Sequence, residues 1–183
     1  MMRIIGALLF LLCSSFSVHA EATKVDRIEI VEMGIYQADV ERVEEVKGTI
    51  RGRLDILSDL KTIEITTTIP ACVGTMFGIR FNVIGAPKGA SVPLTMVLRL
   101  PNQGLRDPRT GETYFRSEYV ASEMISDSGY VGYGFDQNWE AVPGTWTFEI
   151  WYQDQKMAEQ SFAVISPERI GKKRSCGLCC FGS

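Results

Sequence analysis

Two antiparallel β-sheets packed face to face, with no helical layer, are what this 183-residue sequence predicts. Three observations carry the expectation. Short segments alternate apolar and polar residues with the period of two that a half-buried strand requires. Turn-forming clusters separate those segments, as at Pro70, at Gly85-Ala86-Pro87, and at Pro143-Gly144. No long stretch carries the periodicity of an amphipathic helix. Seven to eight strands spaced in this way are the signature of an all-β, immunoglobulin-like antiparallel β-sandwich. The Cys…Trp…Cys spacing of antibody domains is absent, so the expectation concerns architecture alone.

Taken in order, Lys24 to Tyr36 predicts a first strand, with Val25, Ile28, Ile30 and Ile35 as its apolar positions and an interruption near Gly34. Ala38 to Gly48 is charged, with Val40, Val43 and Val46 three apart. It reads as a solvated connection, either a short helical turn or an extended link. Leu60 to Ile69 is rich in β-branched residues and predicts a strand that Pro70 ends. Met76 to Ile84 places Phe77, Ile79, Phe81 and Val83 on one face, and Val92 to Leu100 does the same with Val92, Leu94, Met96, Leu98 and Leu100. Pro101 to Gly111 is a polar loop in which Asp107-Pro108-Arg109-Thr110 has type I turn composition. Tyr114 to Met124 is a further strand. Gly129 to Asp136 puts Val131, Tyr133 and Phe135 on one face. Its other face carries Gly132 and Gly134, which lets a ring or backbone approach closely or marks a bulge.

The segment from Trp139 to Ile165 predicts the closing hairpin. Trp146, Phe148, Ile150 and Tyr152 alternate with polar residues, and Phe162 and Val164 give the return strand its inward pair. Pairing Trp146 with Val164 and Phe148 with Phe162 leaves a three-residue loop, Asp154-Gln155-Lys156, with Gln155 or Lys156 at positive φ.

Residues 1–20 have the form of a signal peptide: Arg3, then an apolar run from Ile4 to Leu12, then Val18-His19-Ala20 before the expected cleavage. The run is too short to span a bilayer, so the mature chain is expected to have no transmembrane anchor and to be periplasmic or secreted. Residues 21–166 are assigned to the sandwich and 167–183 to a basic, cysteine-rich tail. His19 is the only histidine and falls in the signal, which removes Ser-His-Asp and Cys-His catalysis from the mature chain. A net charge of −3 gives no basic excess for nucleic acid.

Several stretches together resemble a family of small exported bacterial proteins known only as domain of unknown function 3859. They are Gly34-Ile35-Tyr36, the run from Ile69 to Phe81, Asp107 to Gly111, and above all Trp139-Glu140-Ala141-Val142-Pro143-Gly144-Thr145-Trp146 with the strand that follows. The resemblance spans about Lys24 to Ile165. It implies export and a β-sandwich, and it supplies no activity, substrate or catalytic residue.

Three groups of residues are candidates for chemistry. Cys176, Cys179 and Cys180 follow Lys172, Lys173 and Arg174, whose charge favours thiolate, and Cys176-Gly177-Leu178-Cys179 has the spacing of redox and metal sites. With Cys72 they are candidate disulfide partners or ligands for a thiolate-bound metal. Trp151 and Tyr130 are candidate binding rings, and Arg106 and Arg109 candidate loop cations. The acidic pairs Asp136/Glu140 and Glu149/Glu159 fit general acid–base chemistry only at a defined separation that sequence does not give. The expectation is a non-enzymatic protein that binds a protein or cell-envelope partner, with no cofactor. Thiol-based metal or redox handling and carbohydrate binding are the alternatives.

Overall fold

The computed structural model describes residues 22–167. They form two sheets packed as a sandwich, the immunoglobulin-like architecture expected. The strands are β1 (Lys24–Glu45), β2 (Arg53–Ile65), β3 (Thr68–Pro70), β4 (Met76–Ala86), β5 (Ser91–Arg99), β6 (Leu105–Arg106), β7 (Thr113–Tyr114), β8 (Arg116–Met124), β9 (Ser128–Gly134), β10 (Gly144–Tyr152) and β11 (Gln155–Ile165). One sheet has the order β2-β1-β4-β9 and the other β3-β11-β10-β5-β8, while β6 and β7 form a separate small hairpin. All pairings are antiparallel except β3 with β11.

The core follows from the alternation in the sequence. Phe77, Ile79, Phe81 and Val83 on β4 face Leu94, Met96, Phe148 and Phe162 of the opposite sheet, and all are buried. Phe77 is the hub: the Trp146, Phe148, Phe162 and Phe135 rings lie 5.3–5.8 Å from it, three of them edge-on. Edge-to-face contacts of this kind add to the burial energy of each ring.

Two sequence expectations are corrected. The closing hairpin pairs Trp146 with Phe162 and Gly144 with Val164, and its loop is the dipeptide Gln153-Asp154. Both loop residues have positive φ, 47° and 62°, as a type I′ turn requires. A two-residue loop alone would turn Phe162 to the wrong face. The register shift between Ile150 and Trp151 leaves Met157 unpaired as a bulge and restores the inward set. Trp151 therefore faces Lys156, and Glu149 faces Glu159.

The second correction is larger. The segment read as a solvated connection is the distal half of β1, and β2 begins at Arg53 rather than near Leu60. Pairing of β1 with β4 stops at Tyr36–Met76, but pairing with β2 runs on to Glu45–Arg53. A two-stranded ribbon thus projects past the sheet. Three register shifts in β1 between Ile35 and Arg42 bend it. Local sequence did not reveal this strand because its charged side chains lie on an exposed ribbon with no continuous buried face.

Candidate functional site

The bend carries the ribbon across the open side of the sandwich, where β8 and β9 are the edge strands of their sheets. At its tip Glu118 of β8 donates its backbone N–H to the Gly48 carbonyl at 3.0 Å. Ile50 enters the hydrophobic core. The ribbon therefore joins the two sheets as an arch, and beneath it lies a half-open cleft of about 760 Å³. Leu54, Ile56 and Leu60 of the ribbon line one wall, Met96, Tyr119 and Ala121 another, and Tyr130 and Val131 of β9 a third.

Arg51 fastens the arch. Its Nε donates to Glu140 Oε1 at 2.7 Å, its Nη1 to Asp136, and its Nη2 to the Gly134 carbonyl, while its guanidinium lies 5.1 Å from the Tyr133 ring centre. Glu140 has no exposed surface and is fully engaged. It also accepts the Tyr133 hydroxyl and the backbone N–H groups of Asp136 and Gln137, at 2.7–3.1 Å. Burial raises the Asp136 carboxyl above its ordinary value, against the pull of Arg51.

The remaining residues of the motif around Glu140 also have structural tasks. The Trp146 indole donates to the Val142 carbonyl at 3.0 Å, and Gln103 donates to the Pro143 carbonyl at 2.6 Å. Gly144 has φ +143° and lies against Pro101, where a Cβ would come within 2.7 Å of the proline ring. Only glycine fits both conditions.

Tyr130 lies across Gly78 and Gly132, so the glycine face of β9 serves close ring packing, one of the two uses its sequence allows. Its ring meets Tyr36 edge-on at 5.1 Å, and the Arg80 guanidinium lies 5.9 Å from the Tyr36 ring centre. The Tyr130 hydroxyl is buried with no hydrogen-bond partner, while Glu32 lies beside the Tyr36 hydroxyl and 3.4 Å from Arg80 Nε. Burial, with neighbouring Tyr36 and Glu32 respectively, pushes both phenols up, so each stays protonated as a donor.

The other sequence candidates are scattered. Trp151 is half-buried on the outer face of the opposite sheet, its indole N–H donated to Glu149 Oε2 at 2.9 Å. Arg99 holds the other Glu149 oxygen at 2.6 Å. Burial opposes ionisation there, but the Arg99 and Trp151 hydrogen bonds outweigh it and hold Glu149 below its ordinary value. A carboxyl so held is a poor general acid at neutral pH. Arg106 and Arg109 sit exposed on the β6–β7 hairpin, where Arg109 Nη2 pairs with the buried Asp107 at 2.9 Å. Cys72 is buried. Cys176, Cys179 and Cys180 and the residue 1–20 signal lie outside the described residues. The candidate binding set Tyr130, Trp151, Arg106 and Arg109 is thus not one site. Arg51 and the ribbon were missed, and the glycine pair Gly48/Gly52, both at positive φ, was the available sign of a tight turn there.

The family model for a domain of unknown function, DUF3859, matches residues 24–164. A solved immunoglobulin-like protein from Pseudomonas aeruginosa is 26% identical, with a TM-score of 0.54. The match covers 75% of this chain and 96% of that one. No curated protein matches.

Proposed function

The chain belongs to the DUF3859 family, and from that premise we propose that it is an exported, non-enzymatic β-sandwich that binds a protein or cell-envelope partner. The single observation that carries the reading is the open edge of β8. Glu118 turns its backbone N–H outward to Gly48, and by the period of a strand Val120 and Ser122 turn theirs the same way, toward the cleft they line beneath the ribbon, where no described strand pairs with them. Val120 is 65% exposed and Met124 48%, on the same outward face. Natural sheets blunt long edges of this kind unless the edge is used, and strand addition is the usual use. Export is supported by Arg3, the apolar run to Leu12, and Val18-His19-Ala20.

A photoreactive amino acid placed at Val120, with Lys88 as the exposed control, tests the reading in the native compartment. A discrete cross-linked species from position 120 and none from 88 is expected. Equal labelling from both positions, or none from 120, rejects it.

Carbohydrate binding remains a second reading, because Trp151 keeps part of its ring exposed beside Arg99 and Lys156. Trp151→Ala should then abolish retention on a glycan array. Retention that survives the substitution removes this reading.

A further inference from the structure

The β8 edge and the cleft beneath the ribbon form one surface, and together they restrict what can add to that edge. Val120 and Ser122 line the cleft, and Leu54, Ile56 and Leu60 of the ribbon line its other side. The cleft is half open, so an extended chain can lie along it beside β8. A strand added there sends alternate side chains inward, next to Tyr119, Ala121 and Glu123, and the others onto the outer face, next to Val120 and Ser122. Tyr119 and Ala121 are half-buried and pack against the core, so apolar residues are their best cross-strand neighbours.

Glu123 is the exception on that inward face. No lysine or arginine among the described residues pairs with it, and burial, with Asp127 nearby, raises its carboxyl above the ordinary value. The arginines of the cleft are committed elsewhere: Arg42 to Glu44, Arg51 to Asp136 and Glu140, and Arg53 to Asp55 and Asp136. Toward the ribbon tip, Asp55 Oδ1 is buried without a hydrogen bond, but Arg53 Nε lies 3.6 Å from it and Arg51 Nη1 lies 3.7 Å from Oδ2. With two cations that close, Asp55 suits a neutral donor such as a hydroxyl and not a third cation. The Glu123 end is the one that calls for positive charge, because a cation there offsets the cost of burying the carboxylate. A second copy of β8 cannot supply it: Ser117, Tyr119, Ala121 and Glu123 are the residues on that face, and none is a cation.

Resting on the strand-addition reading above, we propose that the partner of β8 is an extended protein segment with a lysine or arginine opposite Glu123 and apolar residues opposite Ala121 and Tyr119. Its backbone carbonyls accept the Val120 and Ser122 N–H groups, and its inward side chains fill the cleft beneath the ribbon.

The test is an NMR titration of the purified protein with the capped peptide Val-Thr-Val-Thr-Lys-Thr-Val-Thr-Val. Its sequence reads the same in both directions, so parallel and antiparallel addition alike place the lysine opposite Glu123 and valines opposite Ala121 and Tyr119. Saturable shifts and slowed exchange of the Val120 and Ser122 amides are expected. Replacing the peptide's lysine by glutamate should weaken binding by about fivefold or more, the scale of one partly exposed ion pair. Glu123→Gln should remove that preference and Glu123→Lys should reverse it. The two peptides are also compared on the protein without substitution, so a variant that loses the folded spectrum leaves the test decisive. Equal affinity for the two peptides, or a preference unchanged in Glu123→Gln, overturns the proposal and leaves strand addition standing. Shifts confined to other surfaces, or no saturable binding of the lysine peptide, overturn it as well. Absence of cross-linking from Val120 instead rejects strand addition itself, so the two failures are told apart.

Discussion

Replacing Arg51 by methionine keeps most of the side-chain length and removes the charge. Its Nε is 2.7 Å from Glu140, whose side chain has no exposure, while Arg51 itself is 16% exposed. Removing one partner of a buried pair costs about 3–5 kcal/mol, because the other charge is left uncompensated. Glu140 retains the Tyr133 hydroxyl and two backbone donors, so the lower end applies, about 3 kcal/mol. In a domain of this size that lowers Tm by roughly 6–12 °C. Urea unfolding followed by the fluorescence of Trp139 and Trp146, which lie beside the fastening, measures it directly. Glu140→Gln and the double variant complete a cycle, and a coupling of at least about 1.5 kcal/mol is expected for two groups in direct contact. Amide exchange at Glu118 should quicken in Arg51→Met, because its bond to Gly48 depends on the ribbon tip. A loss below about 1 kcal/mol, or additive single variants, would refute the view that Arg51 and Glu140 act as one fastening.

Three further outcomes are expected. Gly132→Ala drives a methyl group into the Tyr130 hydroxyl and to 2.7 Å from the Phe77 carbonyl oxygen, costing about 1–3 kcal/mol as overpacking does, and Tyr130→Ala in the same chain should recover only the part due to the ring by thermal denaturation, because the backbone contact persists. Gln153→Asn with Asp154→Gly installs the preferred type I′ dipeptide and should raise stability by about 0.5–2 kcal/mol in urea unfolding; a three-residue loop beginning at Asp154 would gain nothing. Glu149 is held below its ordinary value in the folded state, so the stability it contributes is present above that value and is lost as pH falls through it. Glu149→Gln should therefore flatten the fall in Tm below about pH 5, while leaving the shape of the curve above pH 6 unchanged.

Strands β4, β5 and β10 were legible in the sequence because each buries one face, and burial imposes a period of two on the residues themselves. The same logic identified Tyr130 and its glycine neighbours, since a ring lying on backbone requires residues without side chains nearby. The motif around Glu140 was visible as a pattern, but its task was not. Glu140 is buried because Arg51, 89 positions away, meets it there, and no local signal encodes a partner at that distance. The hairpin register was misread for a related reason: one bulged residue at Met157 changes the parity of a strand without changing its hydrophobic pattern. Composition and periodicity determined that this chain is a β-sandwich and which faces make its core. Only the tertiary structure decided that a charged ribbon bends across the open edge, fastens to a buried carboxylate and roofs a half-open cleft, because those features arise from long-range pairing and backbone bending.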